Sequence, residues 1–542
     1  MLLFLSLILG LLPPAAAPDA CATPLSMAAM HCVAGGNVVV GDGDARRAVD
    51  VPRFFVDKAL ITVGDYSRCV KADACDPLEV SQGGVNATAI LSFGAAERAC
   101  AFFGKRLPSE AEWEAAAQRK LFAGDVVEWT RTWFIEPHKC ASLAAPLVDK
   151  SEGTWAQALC GSRDRLDPCD GAAMCGSIAR RVMKDPAAPT SRLTSPGRGT
   201  HRKVSARCAT DTPYLTRFPP KYMAHVAPRP DDPRPPSTEE LRIAGDIEQD
   251  VLDTPPCDKP GRSFADCRDP RSYLKTNEPR LEVLVPYVKN LGGGYTGVGS
   301  DQNYTLIAHA RSAWAWLFDY DENVVRWHHV LHGLILQATT PAEFVAFFDD
   351  KGSAQGILAL RAAFPGDPDL PARENLLRAS APSLRSYYRS QATSPDRKFT
   401  WLGNEEHYSY IRILLQQGRL RALKGNMLAT HTMQGIGRAA RSLKVPLRIY
   451  YPSNAAEFWS FNGAYRQNVR ALPFDDRSIV VQTISGMKSG FDQRGYWHYN
   501  IQYGLEQQKL LALSGYTRQK QLLYHRVKAE SGELTLCGLP SE

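Results

Sequence analysis

Residues 284–321 read LVPYVKNLGGGYTGVGSDQNYTLIAHARSAWAWLFDYD, and the order of textures in this stretch decides the expected fold of the second half of the chain. A short apolar run, read as a strand, leads into Gly292-Gly293-Gly294, with Gly297 and Gly299 close behind. The polar group Ser300, Asp301, Gln302, Asn303 follows, then an amphipathic run over 304–311 and a second apolar run over 314–318 that ends in Asp319 and Asp321. Strand, glycine turn, helix, strand and acid is the order of a nucleotide-binding βαβ unit. Glycine lets backbone approach a ligand closely, and a helix N-terminus offers free N–H groups. An acid roughly twenty residues past the glycines can accept ribose hydroxyls. Gln302 stands where the dinucleotide fingerprint has its third glycine, and no Walker lysine follows. A glycine turn inside an α/β core, with no ligand, is therefore the competing reading.

The alternation continues outward from there. Helices are expected over 323–337, from 341, as insertions within 364–398, over 404–417 with Tyr408, Ile411 and Leu415 on one face, and over 433–443. Strands are expected over 420–423, 446–451 and 478–483. This pattern predicts that residues 278–542 form an α/β, doubly wound, mostly parallel Rossmann-like domain. Ligands in such sheets bind outside the carboxyl ends of the strands. The candidate ligand-binding residues are therefore Gly297, Gly299, Ser300, Asp301, Gln302 and Asn303 after the first strand, and Asp319 and Asp321 after the second. Asn426 follows the third, and Ser453 and Asn454 follow the fourth, with Glu457 one turn on. The polar group Asn404-Glu405-Glu406-His407-Tyr408 fits a helix cap at least as well as a site. His328 and His332 form an i, i+4 pair without a third acid, so they read as core histidines and no metal is assigned. Trp497-His498-Tyr499-Asn500 can line a pocket or fill a core. No G-x-S-x-G is present, so serine hydrolase chemistry draws no support from the sequence.

This order resembles a class I methyltransferase. In that comparison Gly297-Val298-Gly299 stands at the glycine loop and Asp319 or Asp321 at the ribose acid. Gly425-Asn426 stands where the family often has Gly-Asp, and Ser453-Asn454 ends the fourth strand. The resemblance implies S-adenosylmethionine as the cofactor. The half is also similar to bacterial proteins of uncharacterised activity that carry GVGSDQNY, an NEE-YSYIR run and a YxSNAxEFW run, here at 297–304, 404–412 and 451–459.

The first half has a different texture. At 542 residues the chain allows two to four domains, and its net charge of +7 with no basic run interleaved with aromatics gives no nucleic-acid footprint. Residues 1–20, MLLFLSLILGLLPPAAAPDA, carry an apolar run of signal-peptide length, too short to span a bilayer, and small residues fit for cleavage. A lipid anchor on Cys21 is an alternative. Of 13 cysteines, all but Cys537 lie at or before Cys267. A cysteine-dense half behind a signal peptide reads as disulfide-bonded and exported, secreted or held in the bacterial envelope. Cys69 with Cys75, and Cys257 with Cys267, would each close a small loop. Strands are expected over 37–40 and 51–55, and helices within 61–70, over 93–103, and from the Ser109 cap to about 118.

Several runs here resemble the formylglycine-generating enzyme (sulfatase-modifying factor) family. They are FFVDK and ITVGDY over 54–66, AERACAFFGKRLPSEAEWE over 96–114, GDVVEWT over 124–130 and Arg207-Cys208-Ala209. The resemblance implies an irregular α+β, C-type-lectin-like domain within 21–212 and a disulfide between Cys100 and Cys208. Active members oxidise a substrate cysteine through copper held by two thiolates, which suit Cu(I). Residues 176–207 contain no cysteine, and Asp125 and Val127 replace the family's Asn and first Trp. The expectation is a scaffold without the chemistry. A copper oxidase using Cys169 and Cys175 is the alternative. Residues 213–277 are proline-rich and charged, a linker or wrapping arm in which 237–240 can start one short helix. The expected partner of the whole is a small-molecule or peptide ligand. Export conflicts with a methyltransferase, because S-adenosylmethionine is cytoplasmic; the cysteine distribution favours export with a lost or changed ligand.

Overall fold

The computed structural model describes residues 21, 29–40, 47–71, 74–78, 82–122, 124–135, 179–194, 203–210, 228–253, 255–258, 267–349, 352–485, 497–512, 516–522, 527–529 and 534–537. The signal-like segment, Cys169 and Cys175 lie outside them. Strands Met30–Val33 (β1), Gly36–Val40 (β2), Arg47–Val51 (β3) and Phe54–Asp57 (β4) open the described chain. Val127–Ile135 (β5), Ala179–Asp185 (β6), Ala188–Thr194 (β7), Val204–Ser205 (β8) and Ala209–Thr210 (β9) follow. They pair as β1-β4-β9, β2-β3 and β7-β6-β5-β8. The single strand expected over 51–55 is in fact the end of β3 and the start of β4. Proline has no N–H to give a ladder, and Pro52 stands at the break.

The GKRLPSEAEWE run folds locally and then buries its charges. Ser109 and Glu112 form a capping box at the head of the helix Glu110–Gln118. Glu112 accepts both guanidinium nitrogens of Arg106, at 2.8 and 2.6 Å. Lys184 on β6 reaches Glu114, and Trp113 Nε1 and Arg207 Nε both donate to Glu128, each at 3.0 Å. Disulfides join Cys69–Cys75, Cys100–Cys208, Cys257–Cys267 and Cys21–Cys32. The last takes up the Cys21 sulfur, the atom that a lipid anchor would need.

The described part of the proline-rich stretch includes an arm, 228–253, bound along the second domain. Its helix Thr238–Gly245 accepts Trp316 Nε1 at the Ala244 carbonyl, 3.1 Å away. Buried Asp250 accepts the backbone N–H groups of Asn426 and His431 through its two oxygens, at 3.0 and 2.9 Å, and so fixes the loop before the helix Thr432–Ser442.

The second domain carries Gly294–Gly297 (β10), Trp314–Asp319 (β11), Leu420–Lys424 (β12), Leu447–Ser453 (β13) and Ile479–Ser485 (β14). Trp497–Tyr503 (β15), Val527–Lys528 (β16) and Thr535–Cys537 (β17) complete one sheet in the order β12-β11-β10-β13-β14-β15-β17-β16. The first five of these neighbours are parallel, and β15 runs antiparallel to β14. Alternation along β11 sends Ala315 and Leu317 into one core and Trp314, Trp316 and Phe318 into the other. Helices Gln302–Ala310, Glu322–Gln337 and Glu405–Gln416 contribute to the first core; Thr432–Ser442, Gly463–Arg470 and Gly504–Leu511 contribute to the second. Helices thus cover both faces, and the strand order reverses between β10 and β13.

One expectation fails at the entry to this sheet. The apolar run before the glycines is helical, Leu281–Leu284 as a 3-10 turn and Val285–Val288 as α, with proline in its first turn where no N–H is missed. Gly292 and Gly293 take left-handed backbone at φ 66 and 67°, and a Cβ on Gly293 would sit 2.7 Å from the Pro446 carbonyl. The glycine triplet therefore turns the chain into β10 instead of out of it.

Candidate functional site

A crevice of about 380 Å³ opens beyond the carboxyl ends of β10 to β13, where the strand order reverses. Gly299, Ser300, Gln302, Asp319, Asp321, Asn426, Ser453 and Asn454 line it. Gly297, Asp301 and Asn303 do not; they build the loop from behind. Asn303 accepts the Tyr295 hydroxyl at 2.6 Å and donates to the carbonyls of Val298 and Ser300, at 2.9 and 2.8 Å. A Cβ on Gly297 would meet that Asn303 oxygen at 2.7 Å, so this glycine serves internal packing. Asp301 turns away and accepts the Tyr387 hydroxyl, at 2.9 Å to one oxygen and 3.0 Å to the other. Burial pushes its carboxyl up to about 6, against the bonds from Tyr387 and Trp401. The helix Leu370–Thr393 is thus pinned to the back of the glycine loop.

The two acids at the end of β11 and just beyond it have different duties. Asp319 accepts Gly299 N–H at 3.0 Å and Asp321 N–H at 2.9 Å, and so fastens the loop. Burial raises it to about 7; the Asp321 N–H opposes this and the Asp321 charge adds to it. Asp321 accepts Asn323 N–H through Oδ1 and caps the helix Glu322–Gln337. Its Oδ2 is buried and has no hydrogen-bond partner among the described residues, in a residue only 6% exposed. A buried acceptor left unpaired costs about 1–3 kcal/mol.

His328 supports the loop from the core. Its Nε2 lies 2.8 Å from the Gly299 carbonyl and its Nδ1 2.7 Å from the Tyr304 hydroxyl. Burial lowers the ring to about 4. The neutral ring donates from Nε2 and accepts at Nδ1, which suits both partners. Among the described residues no group of three or more His, Cys, Asp or Glu could hold a metal. Asn404 caps the helix Glu405–Gln416. Glu406 pairs with Arg229 and Arg311, at the end of the helix Gln302–Ala310 far from the crevice.

The outer wall comes from the arm, at 267–277, and sequence reading missed it. Arg268, Asp269, Arg271, Tyr273, Lys275 and Asn277 all line the crevice. Arg271 and Tyr273 both bond Asp269, at 3.2 and 2.8 Å, and Lys275 lies over the Tyr387 ring at 5.6 Å. Phe458, Trp459 and Trp497 add an aromatic side. The signals were the Cys257–Cys267 pair, which pins the strap, and the aromatic pair Phe458-Trp459, which begins four residues after Asn454. Of the expected run 497–500 only Trp497 lines the crevice.

Below the strap, Glu278 enters the sheet between the ends of β13 and β14. It is 2% exposed and accepts three hydroxyls: Tyr451, Ser453 at 2.5 Å and Thr483 at 2.6 Å. Burial pushes its carboxyl up to about 7 against the bonds from Ser453 and Thr483.

Residues 273–537 match a family model described as a domain of unknown function, DUF7790. Residues 16–121 match the sulfatase-modifying factor enzyme 1-like domain. No curated protein matches the chain. The first match begins at Tyr273, so the sheet's part of the crevice wall falls inside it, while Arg268, Asp269 and Arg271 of the strap precede it. The second ends before β5, and the likeness of 124–130 and 207–209 rests on those residues alone. Among the described residues no helix is long and apolar enough to cross a membrane.

Proposed function

We propose that the chain is an exported two-module protein whose Rossmann-like C-terminal domain binds a small polar or nucleotide-like ligand in the crevice. Its sulfatase-modifying-factor-like domain acts as a non-catalytic binding or structural module. The observation that carries the reading is Asp321 Oδ2, a buried acceptor without a partner among the described residues, at the switch point of a parallel sheet. Crevice volume supports it, since small-molecule sites span about 300–1,000 Å³. So does the layout: acids at the strand ends, cations Arg271 and Lys275 on the strap, and the Phe458, Trp459 and Trp497 side chains for an apolar or planar group. Four disulfides among the described residues suit an oxidising compartment.

The second reading is an S-adenosylmethionine-dependent methyltransferase, in which Asp321, and not the loop-fastening Asp319, would take the ribose. The third, a formylglycine-generating copper oxidase, rests on Cys169 and Cys175. The test is the melting of the full chain with S-adenosylmethionine, S-adenosylhomocysteine, NAD and ATP. A ligand at a hundred times its dissociation constant stabilises by about 2.7 kcal/mol. We expect a shift with at least one of them, lost in Asp321→Ala. A shift confined to the two methionine-derived ligands selects the methyltransferase, and no shift with any of the four removes the nucleotide-like reading. Copper retained by the protein and lost in Cys175→Ser would revive the oxidase.

A further inference from the structure

We propose that Ser453 and Glu278 form a nucleophile–base pair in this crevice, with the Ser453 hydroxyl attacking an acyl carbonyl of the bound ligand. The proposal rests on the reading that the crevice takes a ligand, and it names the ligand's reactive class as an ester, thioester or other activated acyl group.

Four observations converge. Ser453 ends β13 at the point where the strand order reverses, and it lines the crevice. Its backbone is left-handed at φ 54°, a conformation uncommon for residues other than glycine and asparagine and concentrated at functional sites. Its Oγ donates to Glu278 Oε1 at 2.5 Å, within the reach a base needs to take the proton. Glu278 is in turn oriented by Tyr451 and by Thr483 Oγ1 at 2.6 Å, as the third member of such an arrangement orients the base. A clamp holding the strap to the sheet would account for Tyr451 and Thr483, which are fully buried. It does not account for placing the third hydroxyl, on strained backbone, at the crevice wall.

The step balances within these groups. Ser453 Oγ forms a bond to the carbonyl carbon as its proton passes to Glu278, and the carbonyl π pair moves to oxygen. When that pair returns, the bond to the leaving group breaks, and Glu278 delivers the proton to it. Water then releases the acyl group from Ser453 by the same exchange. Glu278 needs its ionised form to accept the proton, and a carboxyl raised to about 7 is a stronger base than an exposed one while still ionised in part near neutrality.

The test uses phenylmethylsulfonyl fluoride on the full chain, followed by digestion and mass mapping. Serine Oγ displaces fluoride from sulfur, and the proton goes to Glu278. The expected result is an adduct on Ser453 that forms at least about a hundredfold more slowly in Glu278→Gln, the range a general base contributes. Near-ultraviolet circular dichroism checks that the variant folds; should it not, mapping on the natural chain decides, because a clamp-only serine stays unmodified. No adduct on Ser453, or one formed equally fast in Glu278→Gln, overturns the pair. A nucleotide-induced melting shift without an adduct overturns the pair alone. An adduct without any such shift removes only the nucleotide-like reading of the ligand.

Discussion

Replacing Arg106 with methionine should destabilise the N-terminal domain by about 3–5 kcal/mol, the usual consequence of leaving one member of a buried ion pair behind. Arg106 and Glu112 have side chains 2% and 5% exposed, and the guanidinium meets the carboxylate with two parallel bonds. Burial alone would raise Glu112, but Arg106 and then Arg131 outweigh it and hold the carboxyl at about 2, below its ordinary 4.5. The folded pKa is therefore the lower one. The stabilisation is full above the unfolded value, near 4.5, and is lost as pH falls from there through 2. Urea unfolding of Arg106→Met at neutral pH checks the magnitude, and the same titration between pH 5 and about 2 checks the sign. Arg106→Met with Glu112→Leu should recover much of the loss, because no charge is then stranded.

Loss of the Cys100–Cys208 disulfide should have an effect of similar size. The bond closes a loop across a separation of 108 residues and ties the helix Phe93–Phe102 to the chain just before β9. On the chain-entropy account a loop of this length is worth about 4.7 kcal/mol, against about 3 for a loop of some 15 residues. Cys69–Cys75, with a separation of 6, constrains the unfolded chain much less. Guanidinium unfolding of Cys100→Ala with Cys208→Ala should therefore show a far larger loss than Cys69→Ala with Cys75→Ala. Equal losses would mean that local strain or packing, and not chain entropy, sets both.

What could be read from the sequence follows from how local each signal is. The start of the helix Glu110–Gln118 was legible, because Ser109 and Glu112 cap it within one turn. The parallel sheet was legible through the alternation of apolar strands and amphipathic helices, and β11 announces itself in WAWLFD. The apolar run before the glycines misled because four or five apolar residues fit a buried strand and a buried helical turn equally well. Asp301 and Asn303 looked like ligand residues because a polar cluster after a glycine turn does not reveal which side of the loop each faces. Their partners, Tyr387 for one and Tyr295 for the other, decide that. Glu278 was invisible: a lone acid at the end of a proline-rich arm, it finds its hydroxyls 173 to 205 residues further along. The strap at 267–277 has linker composition, and only its place over the sheet makes it a wall.

The central claim is that the crevice between the strand ends and the strap holds a ligand through Asp321. Native mass spectrometry of the full chain, mixed in turn with S-adenosylmethionine, S-adenosylhomocysteine, NAD and ATP, tests it most directly. The account predicts a one-to-one complex with at least one of them that disappears in Asp321→Ala. An unliganded chain in every mixture, or a complex that Asp321→Ala leaves intact, would contradict it.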